Sequence, residues 1–256
     1  AGETVDGYTH QLYFTYPKQG GTEALIKAFI DKLSAKVKIH TNTKVEEVQK
    51  NNDGFTVKTS SGTFKADKIV STMPANELCH IYQTADKPQE ILDAADDLKY
   101  NSIAIGIVNV SKDKAGDNFA FMIADKDVKF HRLSKLDFLG SHYHKAGTAT
   151  YMVEITYRKN DLNDKASDAE LTGKIIEGLQ KIGFIDSSEE VNFTDIKRFE
   201  YAYVIYDLNH RRNMDKIKAW FAEEGVHLNG RFGSFEYLNM DAVIEQSQKL
   251  AKSLIG

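Results

Sequence analysis

The sequence predicts a mixed α/β (α+β) fold, and three observations predict it. Short apolar runs of strand length alternate with longer stretches whose apolar residues recur every three to four positions. Between Gly54 and Ala66, two alternating runs flank the turn residues Ser61-Gly62, which is the pattern of a β-hairpin. Hydrophobic residues make up 41% of the 256 positions and charged residues 27%, the balance of a globular chain long enough to bury a core.

Each element follows in order. Leu12 to Pro17 is an aromatic-rich extended stretch before Gly20-Gly21. Thr22 then offers an N-cap. Leu25, Phe29 and Leu33, with Ile26 and Ile30 beside them, give the next helix an apolar face, and the helix is expected to be well buried. Val37 to His40 reads as a short strand. Lys44 to Lys50 alternates, with Val45 and Val48 flanked by charge. After the hairpin, Lys68 to Thr72 is a further strand ending at Met73-Pro74. Pro88 to Leu98 is an acidic helix, and Ser102 to Val110 is continuous enough for a central strand. Phe119 to Ala124 and Thr148 to Tyr157 are strands. Asp168 to Ile182 is a helix with Leu171, Ile175, Ile176 and Leu179 facing inward, closed by Gly183. Val191 to Tyr203 is extended, and Met214 to Glu223 is a helix carrying Ile217 and Trp220. Val226-His227-Leu228 returns to strand character before Gly230 and Gly233 interrupt it. The final helix runs from Ala242 to Ile255, with Asp241 as its expected N-cap.

Composition excludes several classes. The net charge is -4 and no cluster of Lys and Arg marks a nucleic-acid groove. No apolar run approaches the roughly 20 residues that cross a bilayer; the longest, Ile103 to Val110, is strand length. Cys79 is the only cysteine, so intrachain disulfides are impossible; a reducing cytoplasm fits. Cys79 itself reads as a small buried residue. His142 and His144, with His131 nearby, are bracketed by Gly140 and Gly147, and a solvated loop is expected there, with no metal site. No spacing suits nucleophilic hydrolysis. The chain opens Ala1-Gly2-Glu3, without an initiator Met or a basic-apolar leader, as a processed or fragmentary chain would.

The most informative segment is Gly230-Arg231-Phe232-Gly233-Ser234-Phe235-Glu236-Tyr237-Leu238-Asn239-Met240-Asp241. Two glycines let a backbone approach something closely. A helix start follows, whose first amides are unpaired and carry partial positive charge. Such a terminus suits an electron-rich or anionic ligand atom. Arg231 adds a cation and Tyr237 a flat, hydroxyl-bearing surface. The same pattern also describes a glycine turn leading into a capped C-terminal helix, and spacing alone leaves both open.

This segment resembles the C-terminal signature of UDP-galactopyranose mutases and related flavoproteins: Gly-Arg, a Gly, an aromatic-rich stretch, then Asp at a helix start. Tyr16-Pro17-Lys18-Gln19-Gly20-Gly21 through Leu25 resembles the Tyr-Pro-x-Gly-Gly helix entry of protoporphyrinogen oxidases and phytoene desaturases. Thr43 to Val48 resembles the strand whose Val meets the FAD adenine, and Ala66 to Pro74 the strand and turn that close the FAD domain. No single stretch is specific, but they occur in the order of the FAD-dependent amine oxidase superfamily and together span nearly the whole chain. The resemblance implies a partial Rossmann-like FAD-binding domain from residues 22–78 with 225–256. It implies a substrate domain from 1–21 with 79–224, built as a mostly antiparallel sheet with flanking helices.

The resemblance also assigns roles. Val45 would contact adenine through its backbone, Thr72 and Met73 would lie near the cofactor, and Arg231, after Gly230, would sit by the flavin or its phosphates. Met240 and Asp241 would set the final helix's first amides against the flavin's pyrimidine edge, where reduced flavin is negative. Tyr237 matches a Tyr that faces substrate phosphate in the mutases; Asn239 stands where those enzymes usually carry Asp. Arg132 would meet an acidic substrate or pair with Asp137, and Tyr203, alternating with Tyr201 and Tyr206, would wall a pocket or simply pack. The family's Gly-x-Gly-x-x-Gly loop, which holds the FAD pyrophosphate at a helix start, is not found before Gly20. Weak FAD binding, or none, is the expectation for this chain. The expected activity of the intact protein is hydride removal from a C–N or C–C bond of a small molecule; a UDP-sugar mutase-like isomerase and a cofactor-free binding module are the alternatives. No catalytic side chain and no oligomeric state are legible.

Overall fold

The computed structural model describes residues 15–143 and 145–255. By its internal contacts the chain divides into two compact units. One comprises Ala1–Ile39, Gly106–Glu154 and Thr172–Ile196, the other His40–Ile105, Ile155–Leu171 and Lys197–Gly256.

In the first unit, α1 (Glu23–Ile30) begins after Gly20 and Gly21, both at positive φ. The apolar face of α1 is present, yet the helix has no buried residue, and Ile26, Phe29 and Ile30 are 53%, 52% and 47% exposed. The expected burial is therefore overturned. Periodicity shows that a helix has an apolar stripe; it does not supply the surface that covers it. Thr22 makes no side-chain cap. Residues 37–40 form no strand, because a lone extended run without a pairing partner is not one. The extended stretch expected at 12–17 lies largely outside the described residues, and 15–17 carry no regular structure.

Strand β7 (Ala120–Met122) pairs antiparallel with β8 (Arg132–Lys135), and β8 with β9 (Ala149–Tyr157). These belong to a five-stranded sheet whose order continues from β9 to β6 (Lys99–Val110) and β10 (Val191–Ile205). Helix α5 (Asp168–Lys181) buries Ile175 and Leu179 as its period predicts. A Cβ at Gly106 would stand 2.4 Å from Ile175 Cδ1 and one at Gly178 2.6 Å from Phe130 Cε1, so a side chain at either position would have to displace its packed neighbour.

In the second unit, β1 (Val45–Asn51), β2 (Gly54–Thr59) and β3 (Gly62–Ala66) form the expected meander, with a bulge between Val45 and Glu47. The short β5 (Tyr82–Gln83) adds to β1 in parallel. A separate parallel pair joins β4 (Ile69–Ser71) to β11 (Val226–Leu228). Helices α2 (Ala75–Ile81), α3 (Gln89–Asp96) and α6 (His210–Glu224) bury Leu78, Ile91, Ile217 and Phe221 in one core with Val48, Phe55 and Phe235. Cys79 lies in that core, and burial pushes its thiol up to about 12. Helix α4 (Leu162–Lys165) is capped by Asp161, whose carboxylate accepts the amides of Asn163 and Asp164. Helix α7 (Met240–Ile255) closes the chain. It begins one residue before the expected cap: Asn239 O accepts the Val243 amide, and Asp241 lies inside the first turn.

Candidate functional site

The segment between β11 and α7 is fixed by its own backbone. Asn229 N donates to Ser71 O on β4 (2.9 Å), and Ala75 N on α2 donates to Phe232 O (3.0 Å). Gly230 adopts φ +80°, and its amide donates to Gln246 Oε1 on α7 (2.9 Å). Gly233 is the tightest point: a Cβ there would stand 2.2 Å from Asn229 O and 2.8 Å from Ser71 O. Phe235 is fully buried at φ +50°, and its carbonyl oxygen lies 2.8 Å from His210 Nε2. A left-handed phenylalanine is costly, and deep burial of its ring over-determines it.

This frame gathers several of the residues singled out by sequence. Thr72 packs at 3.9 Å from where a Gly230 side chain would begin, and Met73 and Val45 rest on the same core as Phe232 and Phe235. Arg231 sits among aromatic rings. Its guanidinium lies 4.3 Å from the Tyr237 ring centre and 5.5 Å from that of Tyr203. Those two rings are nearly parallel, at 16° and 6.0 Å. Nη2 donates to Ala202 O (2.6 Å) and Nη1 to Leu238 O (3.4 Å). The charge is thus balanced by carbonyl dipoles and ring faces. The Arg231 Nε is buried and finds no acceptor among the described residues.

Beyond this clamp the chain turns outward. Tyr237 is 49% exposed and Met240 57% exposed, and Asn239 and Asp241 are exposed too. The amides of Met240, Asp241 and Ala242 make no hydrogen bond among the described residues, so the start of α7 presents free donors beside a rigid turn. Free donors at a positive helix end suit an electron-rich or anionic atom.

Arg132 belongs to the other unit and is ion-paired with Glu154, its cross-strand neighbour. Glu154 is 1% exposed while the Arg132 side chain is 37% exposed, so a partly solvated arginine compensates a buried carboxylate. Desolvation of its own partly buried ring lowers the pKa of His131, against the opposing pull of the Glu154 carboxylate.

Sequence reasoning missed Asn229, Phe235, Asn76 and Glu77. Tyr201 donates to Glu77 Oε1 (2.6 Å) and accepts from Asn76 Nδ2 (3.1 Å), and its ring stacks on Tyr100 at 4.2 Å. Burial, reinforced by the Glu77 carboxylate, pushes its phenol far up, so it stays a neutral donor. The one available signal was the alternation of Tyr201 and Tyr203; nothing in the sequence connects them to α2.

Comparison with known proteins bears on this arrangement. The model of a family described as flavin containing amine oxidoreductase matches residues 3–253. By sequence alone, no curated protein matches the chain. Among solved structures, reduced UDP-galactopyranose mutase is similar at TM-score 0.78 and 17% identity, over 87% of this chain and 47% of that one. A protein from Exiguobacterium sp. 255-15 with a provisional protoporphyrinogen oxidase assignment follows at 0.76 and 16%, over 91% and 51%. A putrescine oxidase redesigned in its cofactor binding gives 0.67 and 14%, over 92% and 53%. The chain therefore spans about half the length of each, and at these identities the likeness concerns the mixed α/β fold. The family match covers nearly every residue, and on it the chain belongs to the flavin-containing amine oxidoreductase family.

Proposed function

We propose that this chain forms part of an FAD-dependent oxidoreductase that takes hydride from a C–N or C–C bond of a small molecule, and that residues 230–241 face the flavin. One observation carries the site: three amides without a hydrogen bond among the described residues open α7 immediately after a turn held by Gly233, Phe235 and Arg231. When bound, FAD would supply the hydride-accepting chemistry. The protein's own part is placement and charge. The amides of Met240, Asp241 and Ala242 would donate to the negative edge of the ring, with Thr72, Met73 and Gly230 behind it and the Val45 backbone toward adenine. Tyr203, Tyr237 and Asn239 would border the substrate. Arg231, spent on Ala202 and Leu238, would act by holding Tyr203 and Tyr237 in register. Residues 22–78 with 225–256 would serve the cofactor and 1–21 with 79–224 the substrate. No helix among the described residues is long and apolar enough to cross a membrane, and the cytoplasm is the proposed compartment.

A UDP-sugar mutase-like activity is favoured by the exposed Tyr237 face and by the likeness to the mutase fold. It needs arginines for a diphosphate, and both Arg231 and Arg132 are hydrogen-bonded within the protein. Titration of FAD into the purified protein, followed by flavin fluorescence, tests the main reading. Saturable quenching that weakens in Gly233→Ala is the expected result. Unchanged fluorescence at millimolar FAD would leave the cofactor-free binding module as the better description of this chain.

A further inference from the structure

We propose that a polar cavity beside α4 is a binding site for a small zwitterion, a free amino acid with its ammonium toward Asp164 and Glu200 and its carboxylate toward Lys159. The cavity is about 330 Å³ and is lined by Ser102, Tyr157, Lys159, Asp164 and Glu200. That volume lies at the small end of the roughly 300–1,000 Å³ that ligand clefts occupy. Three neighbouring strands build it: β6 carries Ser102, β9 carries Tyr157 and β10 carries Glu200, in the sheet order β10-β6-β9. Helix α4 supplies Asp164, and Lys159 precedes that helix. None of the five is a residue of the 230–241 turn or of the proposed cofactor face.

The walls keep unused polar atoms. Ser102 is 3% exposed, yet its hydroxyl makes no hydrogen bond among the described residues. A buried hydroxyl without a partner costs about 1–3 kcal/mol, and a ligand atom in the cavity would relieve it. Glu200 uses Oε1 to accept from the Tyr100 hydroxyl (3.1 Å), and Asp164 uses Oδ2 to accept the Asn160 amide (2.7 Å). The second oxygen of each carboxylate is unbonded among the described residues. Tyr157 is buried too. That burial raises its phenol above the ordinary value against the pull of Arg198, and the Asp164 and Glu200 charges add to the rise, so Tyr157 stays a neutral donor. Lys159 lines the same cavity but forms no ion pair with either carboxylate. Opposite charges held apart around one cavity complement a ligand that carries both signs. The carboxylates pair with an ammonium, Lys159 pairs with a carboxylate, and the two hydroxyls can bond either. A ligand with a single sign of charge would leave one wall unanswered.

The test follows backbone amide resonances of the purified protein, without FAD, as L-alanine is added. Ethylamine, which lacks the carboxylate, and propionate, which lacks the ammonium, are the matched probes. Saturable shifts at Ser102, Tyr157 and Glu200 are expected with L-alanine, and affinities about tenfold lower with either single-charge probe. Glu200→Gln and Lys159→Met should each weaken L-alanine by about the same factor, and Lys159→Met should leave ethylamine unchanged. Ser102→Ala removes a hydroxyl that bonds nothing in the protein, so it should weaken L-alanine while Tm holds or rises, which a structural serine would not do. No saturable shift up to the solubility limit of L-alanine, equal binding of ethylamine or propionate, or L-alanine binding indifferent to these substitutions would each overturn the proposal.

Discussion

Gly233 is where a single hydrogen atom decides the local structure. Replacing it with Ala places a methyl 2.2 Å from Asn229 O and 2.8 Å from Ser71 O, both backbone atoms that cannot rotate aside. Overpacking of this kind costs about 1–3 kcal/mol, and chemical denaturation of Gly233→Ala should show a loss in that range. Arg231→Met removes two donors to carbonyls and the cation beside the Tyr203 and Tyr237 rings. A loss of about 2 kcal/mol is expected, with a weaker near-ultraviolet tyrosine signal in circular dichroism, while Arg231→Lys should restore little, because one ammonium cannot reach both carbonyls. The sequence announced that a backbone comes close at these glycines. It could not announce that the close partner of Gly233 is the protein's own main chain, because that contact joins β4 to a turn more than a hundred residues later.

Helices α1 and α5 show what periodicity can and cannot say. Both have apolar stripes, but Ile175 on α5 is 1% exposed and Ile26 on α1 is 53% exposed. Ile175→Ala should cost about 2–5 kcal/mol and Ile26→Ala under about 0.5 kcal/mol, measured by thermal or urea unfolding. The helix starts were less legible than the helix bodies. Helix α6 starts at His210, four residues before the apolar pattern suggests, because Asp207 accepts the amides of Asn209 and His210 and extends the helix backward. Hydrogen bonding to the Lys99 ammonium holds the Asp207 carboxyl below its ordinary value of 3.8. A carboxyl depressed in the folded state stabilises the fold above its unfolded pKa, and that contribution is lost as pH falls through the folded value. Amide exchange at the start of α6 should therefore accelerate below about pH 4 in the native protein and be insensitive to acid there in Asp207→Ala.

At the scale of the whole molecule, family membership was legible because several weak stretches occur in a fixed order along the chain, and order survives where identity has fallen to 17%. The burial of single elements was not, because it depends on surfaces far away in sequence. If the α7 start receives a flavin, FAD at about a hundred times its dissociation constant should raise the unfolding free energy by about 2.7 kcal/mol, measurable as an upward shift of Tm. An unchanged Tm across that range would argue against a folded-state FAD site in this chain.

The irregularity between Val45 and Glu47 has a consequence for the parity of its strand. Positions 45 and 48 differ by an odd number, so in a regular ladder the two valines would look in opposite directions. The extra residue inserted between them reverses that parity, and both valines reach the same core, Val48 at 3% exposure and Val45 half-buried against it. Deleting Glu46 would leave the two valines two positions apart on a regular ladder, so both should stay in the core while the local bend is lost.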